Sequence, residues 1–142
     1  MSFLDRLQPL GLLLMRIVLG VIMIAHSYQK IQHGVHNSYG FFNSLGLPWW
    51  SAYISTYTEL IGGGLLILGL LTRVWSLGIS IDMFVAIWKV HWKNGLVGKG
   101  GYEFPIACFA LAFALIFFGA GPISLDAILF GRGGGGTKAK KA

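Results

Sequence analysis

Residues 50–92 read WSAYISTYTELIGGGLLILGLLTRVWSLGISIDMFVAIWKVHW. Two apolar runs flank a tight turn at Thr72-Arg73, a pattern that predicts two membrane-spanning helices folded back on each other. Each run carries one acid near its middle, Glu59 in the first and Asp82 in the second. A carboxylate at mid-bilayer is costly, so it faces the protein interior with a partner or a proton. Which groups satisfy these two acids is the question that leads toward function.

The rest of the chain agrees with a membrane reading. Of 142 residues, 55% are hydrophobic and 11% charged, with mean hydropathy +0.69. A soluble domain carries about 25% charged residues, so this chain lacks the polar surface to cover itself in water. At about 20 residues per span, four spans with short loops use up the length. The expected fold is therefore all-α, a polytopic four-transmembrane-helix bundle over residues 1–130, with spans near 9–31, 50–71, 74–92 and 103–120. Residues 131–142 read as a disordered basic tail. The net charge of +6 forms no stripe on a water-soluble helix, which argues against nucleic acid. The single cysteine, Cys108, allows no CxxC pair and argues against thiol–disulfide chemistry. Arg16 interrupts the first apolar run, and no small-x-small pattern follows it, so no cleaved signal peptide is expected.

Within the first span, Arg16, Gly20, Met23 and Ser27 recur on one helical face, expected to pack inward. Residues 33–47 read as a glycine-punctuated loop or partly helical excursion. Pro48-Trp49-Trp50 opens the second span at headgroup level. The glycines at 62, 63, 64 and 69 read as helix-packing positions. In the third span Asp82, Lys89 and Lys93 share a face, and His91 is expected about half a turn away from Asp82. Counted by side, Arg6, Arg73, Arg132, Lys138, Lys140 and Lys141 outnumber Lys30, Lys89, Lys93 and Lys99, which predicts both termini cytoplasmic.

A rise of about 1.5 Å per residue puts Arg16 roughly 9 Å below the cytoplasmic face, and Asp82 and Glu59 each about 13 Å from a face. Three charged groups on three helices at similar depth are expected to converge. One guanidinium against two carboxylates leaves excess negative charge, so one acid holds a proton or a ligand completes the set. Two explanations remain open. The cluster is a structural clasp, or it is a site that delivers protons to a reducible lipid such as a quinone. A second group gathers at the outer edge: His26, Lys30, His91 and Glu103, with Trp88 and Tyr102 nearby. It reads as a ligand mouth or as interfacial anchoring. Haem or metal is disfavoured, since no helix carries a ligand-spaced histidine pair and His33 and His36 lie in a loop.

The combination Arg16…Gly20…His26-x-x-x-Lys30, Phe42…Leu45-Gly46-Leu47-Pro48, Glu59…Gly62-Gly63…Gly69…Thr72-Arg73, Asp82-Met83…His91 and Gly101-Tyr102-Glu103 resembles the DoxX family. The resemblance runs to about Leu129, with Ser27 where many relatives have glycine. It implies a small four-helix membrane protein on the quinone side of a redox system, as in subunits of archaeal thiosulfate:quinone oxidoreductase. Electrons are then expected from a partner subunit, because nothing in the chain binds a flavin, an iron–sulfur cluster or a nucleotide. A non-catalytic accessory or assembly subunit of a larger membrane complex is the alternative. A transporter is disfavoured by the lack of an inverted repeat and of a helix-breaking proline within a span.

Overall fold

Pro9 has no amide hydrogen to leave unsatisfied, so it sits comfortably in the first turn of a helix. The computed structural model describes residues 2–131 and starts its longest helix there. A short α1 (Ser2–Arg6) leads into α2 (Gln8–Gln32); a 3-10 turn (Val35–Ser38) and α3 (Tyr39–Ser44) follow. Next come α4 (Trp50–Leu68) and α5 (Thr72–Ala86), and α5 runs on through a π-helical turn (Ile87–His91) and a 3-10 turn (Trp92–Asn94). The chain then forms α6 (Glu103–Phe118) and α7 (Leu125–Leu129). Among the described residues there are seven α-helices and no strand, the all-α class expected from the sequence. The basic tail lies, beyond Gly131, outside the described residues.

The longer helices pack in chain order, α2 on α4, α4 on α5 and α5 on α6. Contacts fix the directions. Arg16 meets Leu66, Gly20 meets Gly63 and Lys30 meets Glu59, so α2 and α4 run antiparallel. The glycine run serves two helices at once. A Cβ at Gly20 would lie 2.5 Å from the Gly63 carbonyl oxygen, and one at Gly63 would lie 2.7 Å from that of Gly20. Gly62 turns the other way, where a Cβ would meet Trp75 at 3.1 Å on α5. Adjacent glycines thus let α4 approach a neighbour on each side, as close-packed membrane helices require.

The surface is inverted relative to a soluble protein. On α2 the face with Arg16, Gly20, Met23 and Ser27 is buried, while Leu10, Leu14, Val18 and Val21 are exposed. Two helical stretches, Gln8–Gln32 and Thr72–Asn94, are long and apolar enough to cross a membrane, with only 28% and 22% of their apolar windows buried. A core helix of a soluble protein would be mostly covered; these present their apolar sides outward. Four spans were expected, and two helices meet the criterion. Helix α6 is apolar but has 16 residues, and the first half of α4 is diluted by Ser51, Ser55, Thr56, Thr58 and Glu59.

Candidate functional site

Ser55 and Glu59 are one turn apart on the buried face of α4, and Lys30 is in the last turn of α2. Because those helices run antiparallel, the three side chains meet. Lys30 Nζ donates to Glu59 Oε2 at 2.9 Å and to Ser55 Oγ at 3.1 Å. The Glu59 side chain is nearly buried and that of Lys30 is about one quarter exposed. Asp82 of α5 lines the same cavity as Glu59. Together these groups line a cavity of about 470 Å³ among α2, α4, α5 and α6. Met23, Met83, Val85 and Phe104 supply its apolar walls, and Phe41, Phe42 and Leu45 of the α3 segment cover it. A largely apolar chamber of this size with a few convergent polar groups has the character of a small-molecule site. The cover is tied down where the Tyr39 hydroxyl donates to the Tyr53 hydroxyl at 2.7 Å. That bond holds the Tyr39 proton up to about 12, so the tie stays neutral at physiological pH.

The expected convergence of Arg16 with the two acids does not occur. The Arg16 guanidinium donates instead to four backbone carbonyls, those of Leu66 (2.9 Å), Ile67 (3.1 Å), Ala120 (2.6 Å) and Ile123 (2.7 Å). Depth alone suggested a meeting, but Arg16 faces the C-terminal end of α4, two turns below Glu59. There the helix leaves carbonyls without intrahelical donors, and a planar five-donor group suits them. The acid at this end of the molecule is Asp126 of α7, which serves the α4–α5 turn. Asp126 accepts from the backbone N–H of Leu71 (2.7 Å) and Thr72 (3.0 Å), capping α5. Leu71 there takes φ 50°, the left-handed region, which this cap stabilises. Arg16 is thus satisfied by backbone carbonyls near the α4–α5 turn, and Lys30 by Glu59 toward the other end of α2.

The outer group divides. His26, Lys30 and His91 line the chamber, whereas Trp88, Tyr102 and Glu103 do not. His26 stacks on Phe104 (5.2 Å between centroids), and His91 Nδ1 contacts the Gly100 carbonyl at 2.8 Å. Trp88 is exposed, with Lys89 Nζ 4.7 Å from its ring centre, and Tyr102 stacks on Trp92. His91 was expected about half a turn from Asp82. The i→i+5 winding of Ile87–His91 rotates less per residue and brings both residues to the same cavity. Sequence reasoning placed Lys30 at the interface and missed Ser55 and Phe104. The Ser55–Glu59 spacing of one turn was the available signal. No group of three or more metal-ligating side chains occurs among the described residues.

An all-helical chain that turns leucine and valine outward and folds arginine, lysine and glutamate inward is a membrane protein with lipid as its solvent. Its family follows from comparison with known sequences. The chain belongs to the DoxX family, whose pattern matches residues 11–92 and so ends before Gly101-Tyr102-Glu103. A Bacillus subtilis protein named "Putative oxidoreductase CatD" is 32% identical over 121 residues, covering 85% of this chain and 88% of that one. An uncharacterized protein of Haemophilus influenzae is 32% identical over 134 residues, covering 89% and 96% respectively. The uncharacterized membrane protein Rv3486 of Mycobacterium tuberculosis is 31% identical over 96 residues, covering 66% of this chain and 58% of that protein. No solved structure matches the chain.

Proposed function

We propose that this protein is a four-span inner-membrane subunit of a redox system that binds a quinone-like lipid in the chamber and serves as its proton donor. The observation that carries the reading is the Lys30–Glu59 pair and Asp82 lining one cavity that is otherwise mostly apolar. A quinone accepts two electrons and two protons to become a quinol. Lys30, with donors to offer, suits the quinone oxygens, and the two acids suit proton transfer to them. Met83, Val85 and Phe104 provide apolar contact for a ring and keep water sparse. Electrons come from a partner subunit. The redox wording in the name of the Bacillus subtilis relative agrees with this assignment.

The test is binding of a decyl-tailed benzoquinone to the protein in lipid nanodiscs. Glu59→Gln and Asp82→Asn should each weaken it at least tenfold, or about 1.4 kcal/mol, without altering yield or melting temperature. Unchanged affinity in both variants would overturn the proposal. One observation favours the accessory reading: Phe113 and Phe117, both exposed and packed edge to face on α6, form an outward aromatic pair that a neighbouring helix can cover. On that reading the same two substitutions impair assembly of the larger complex and leave turnover per assembled complex intact.

A further inference from the structure

The chamber has a neighbour. A second cavity of about 180 Å³ lies between α4 and α5, lined by Ile54, Thr58, Gly78 and Ile81. Five residues, Phe42, Leu47, Ser55, Asp82 and Val85, line both spaces, so Asp82 stands at their junction. Ile54 and Ile81, on the outer side, are each more than half exposed. Thr58 lies two turns inside Trp50, about 12 Å along the helix, at hydrocarbon rather than headgroup depth. An opening at that depth faces acyl chains. Its inner end is at Gly78, where a Cβ would come 3.3 Å from Thr58 Cγ2, so the two helices touch there and the space lies on the Trp50 side of that contact.

We infer that the ligand reaches the chamber sideways from the bilayer, between α4 and α5 at Ile54 and Ile81, beside the Thr58–Gly78 contact, and leaves its hydrocarbon tail in that gap. The inference rests on the proposed quinone-like occupant and adds a requirement, that the occupant be tailed. The polar ring passes Asp82 and settles against Lys30 and Glu59. Ile54 and Ile81 flank the tail, and Phe42 and Leu47 of the cover close over both spaces. Gly78 lines the inner end of the gap, so a bulky side chain there fills the space the tail needs.

The α4–α5 contact beside the gap can be locked reversibly, so that the helices cannot part to admit a tail. The approach of Gly78 to Thr58 suits a disulfide, whose Cβ atoms stand about 3.8 Å apart. The double variant Thr58→Cys with Gly78→Cys, in nanodiscs, is assayed oxidised and reduced with two probes: the decyl-tailed benzoquinone and its tail-less head. Cys108 is buried and does not interfere. Oxidation should lower affinity for the tailed probe at least tenfold, with recovery on reduction, while the tail-less probe binds equally in both states. Gly78→Leu should give the same discrimination without oxidation. If the tailed probe is indifferent to both the clamp and the leucine, the side passage is wrong and the chamber stands. If clamping removes both probes, the chamber itself has collapsed and the passage reading fails. If neither probe binds the reduced protein, the quinone assignment falls and takes the passage with it.

Discussion

Arg16 and Lys30 sit fourteen residues apart on one helix, and the company each keeps sets its role. Arg16 is 1% exposed and spends its donors on four carbonyls from two segments of chain. A lysine there keeps the charge but offers a point of donors instead of a fork. Arg16→Lys should therefore cost roughly 2–4 kcal/mol of stability, since buried carbonyls lose their partners. Thermal unfolding in detergent would show this as a large drop in melting temperature. Quinone affinity of the folded fraction should stay unchanged, and a selective loss of binding with normal melting would contradict a structural role for Arg16. Lys30 was legible in the sequence as a basic residue near a span end, where lysine normally reaches outward. It reaches inward because Glu59 and Ser55 lie opposite, and their alignment depends on the antiparallel register of two helices, which spacing within one helix cannot reveal.

At the scale of elements, the informative positions are where helices touch. Gly20 and Gly63 oppose each other backbone to backbone, whereas a Cβ at Gly64 meets nothing within 4 Å. Gly20→Ala should push α2 off α4 and destabilise by about 1–3 kcal/mol, and Gly64→Ala should be neutral or slightly stabilising because alanine is the better helix former. Comparing the two melting temperatures checks the crossing point directly. Equal effects would mean that the close approach is elsewhere. The glycine run and the inward face of α2 were readable from residue size and period. Two features were not. The π-helical turn at Ile87–His91 shifts the phase of everything after it and leaves no signature in composition. The cap from Asp126 was hidden because residues 123–130 look like a short interfacial run, although an acid two places after Ser124 suits a helix N-terminus.

For the whole molecule, both interhelical covers over the chamber, residues 33–47 and the Gly95–Gly101 turn region, lie at the end opposite the Thr72-Arg73 turn. Cysteine scanning in intact cells tests the proposed orientation. Gly98→Cys should react with a membrane-impermeant maleimide added outside, and Ser2→Cys only after permeabilisation. Labelling of Ser2→Cys in sealed cells would reverse the topology. The lipid-facing character of the chain was evident from composition alone. The separation of Arg16 on its carbonyls from the Lys30–Glu59 pair was not, because estimates of depth carry no information about azimuth. That separation also bears on how the chain matures. The carbonyls of Ala120 and Ile123 and the carboxylate of Asp126 emerge from the ribosome after every long helix has been made. Until then Arg16 has only half its acceptors and the α4–α5 turn has no cap. The end of the protein that carries the Thr72-Arg73 turn is thus latched by its last-synthesised described segment, and the helices stay free to adjust against one another until that segment arrives.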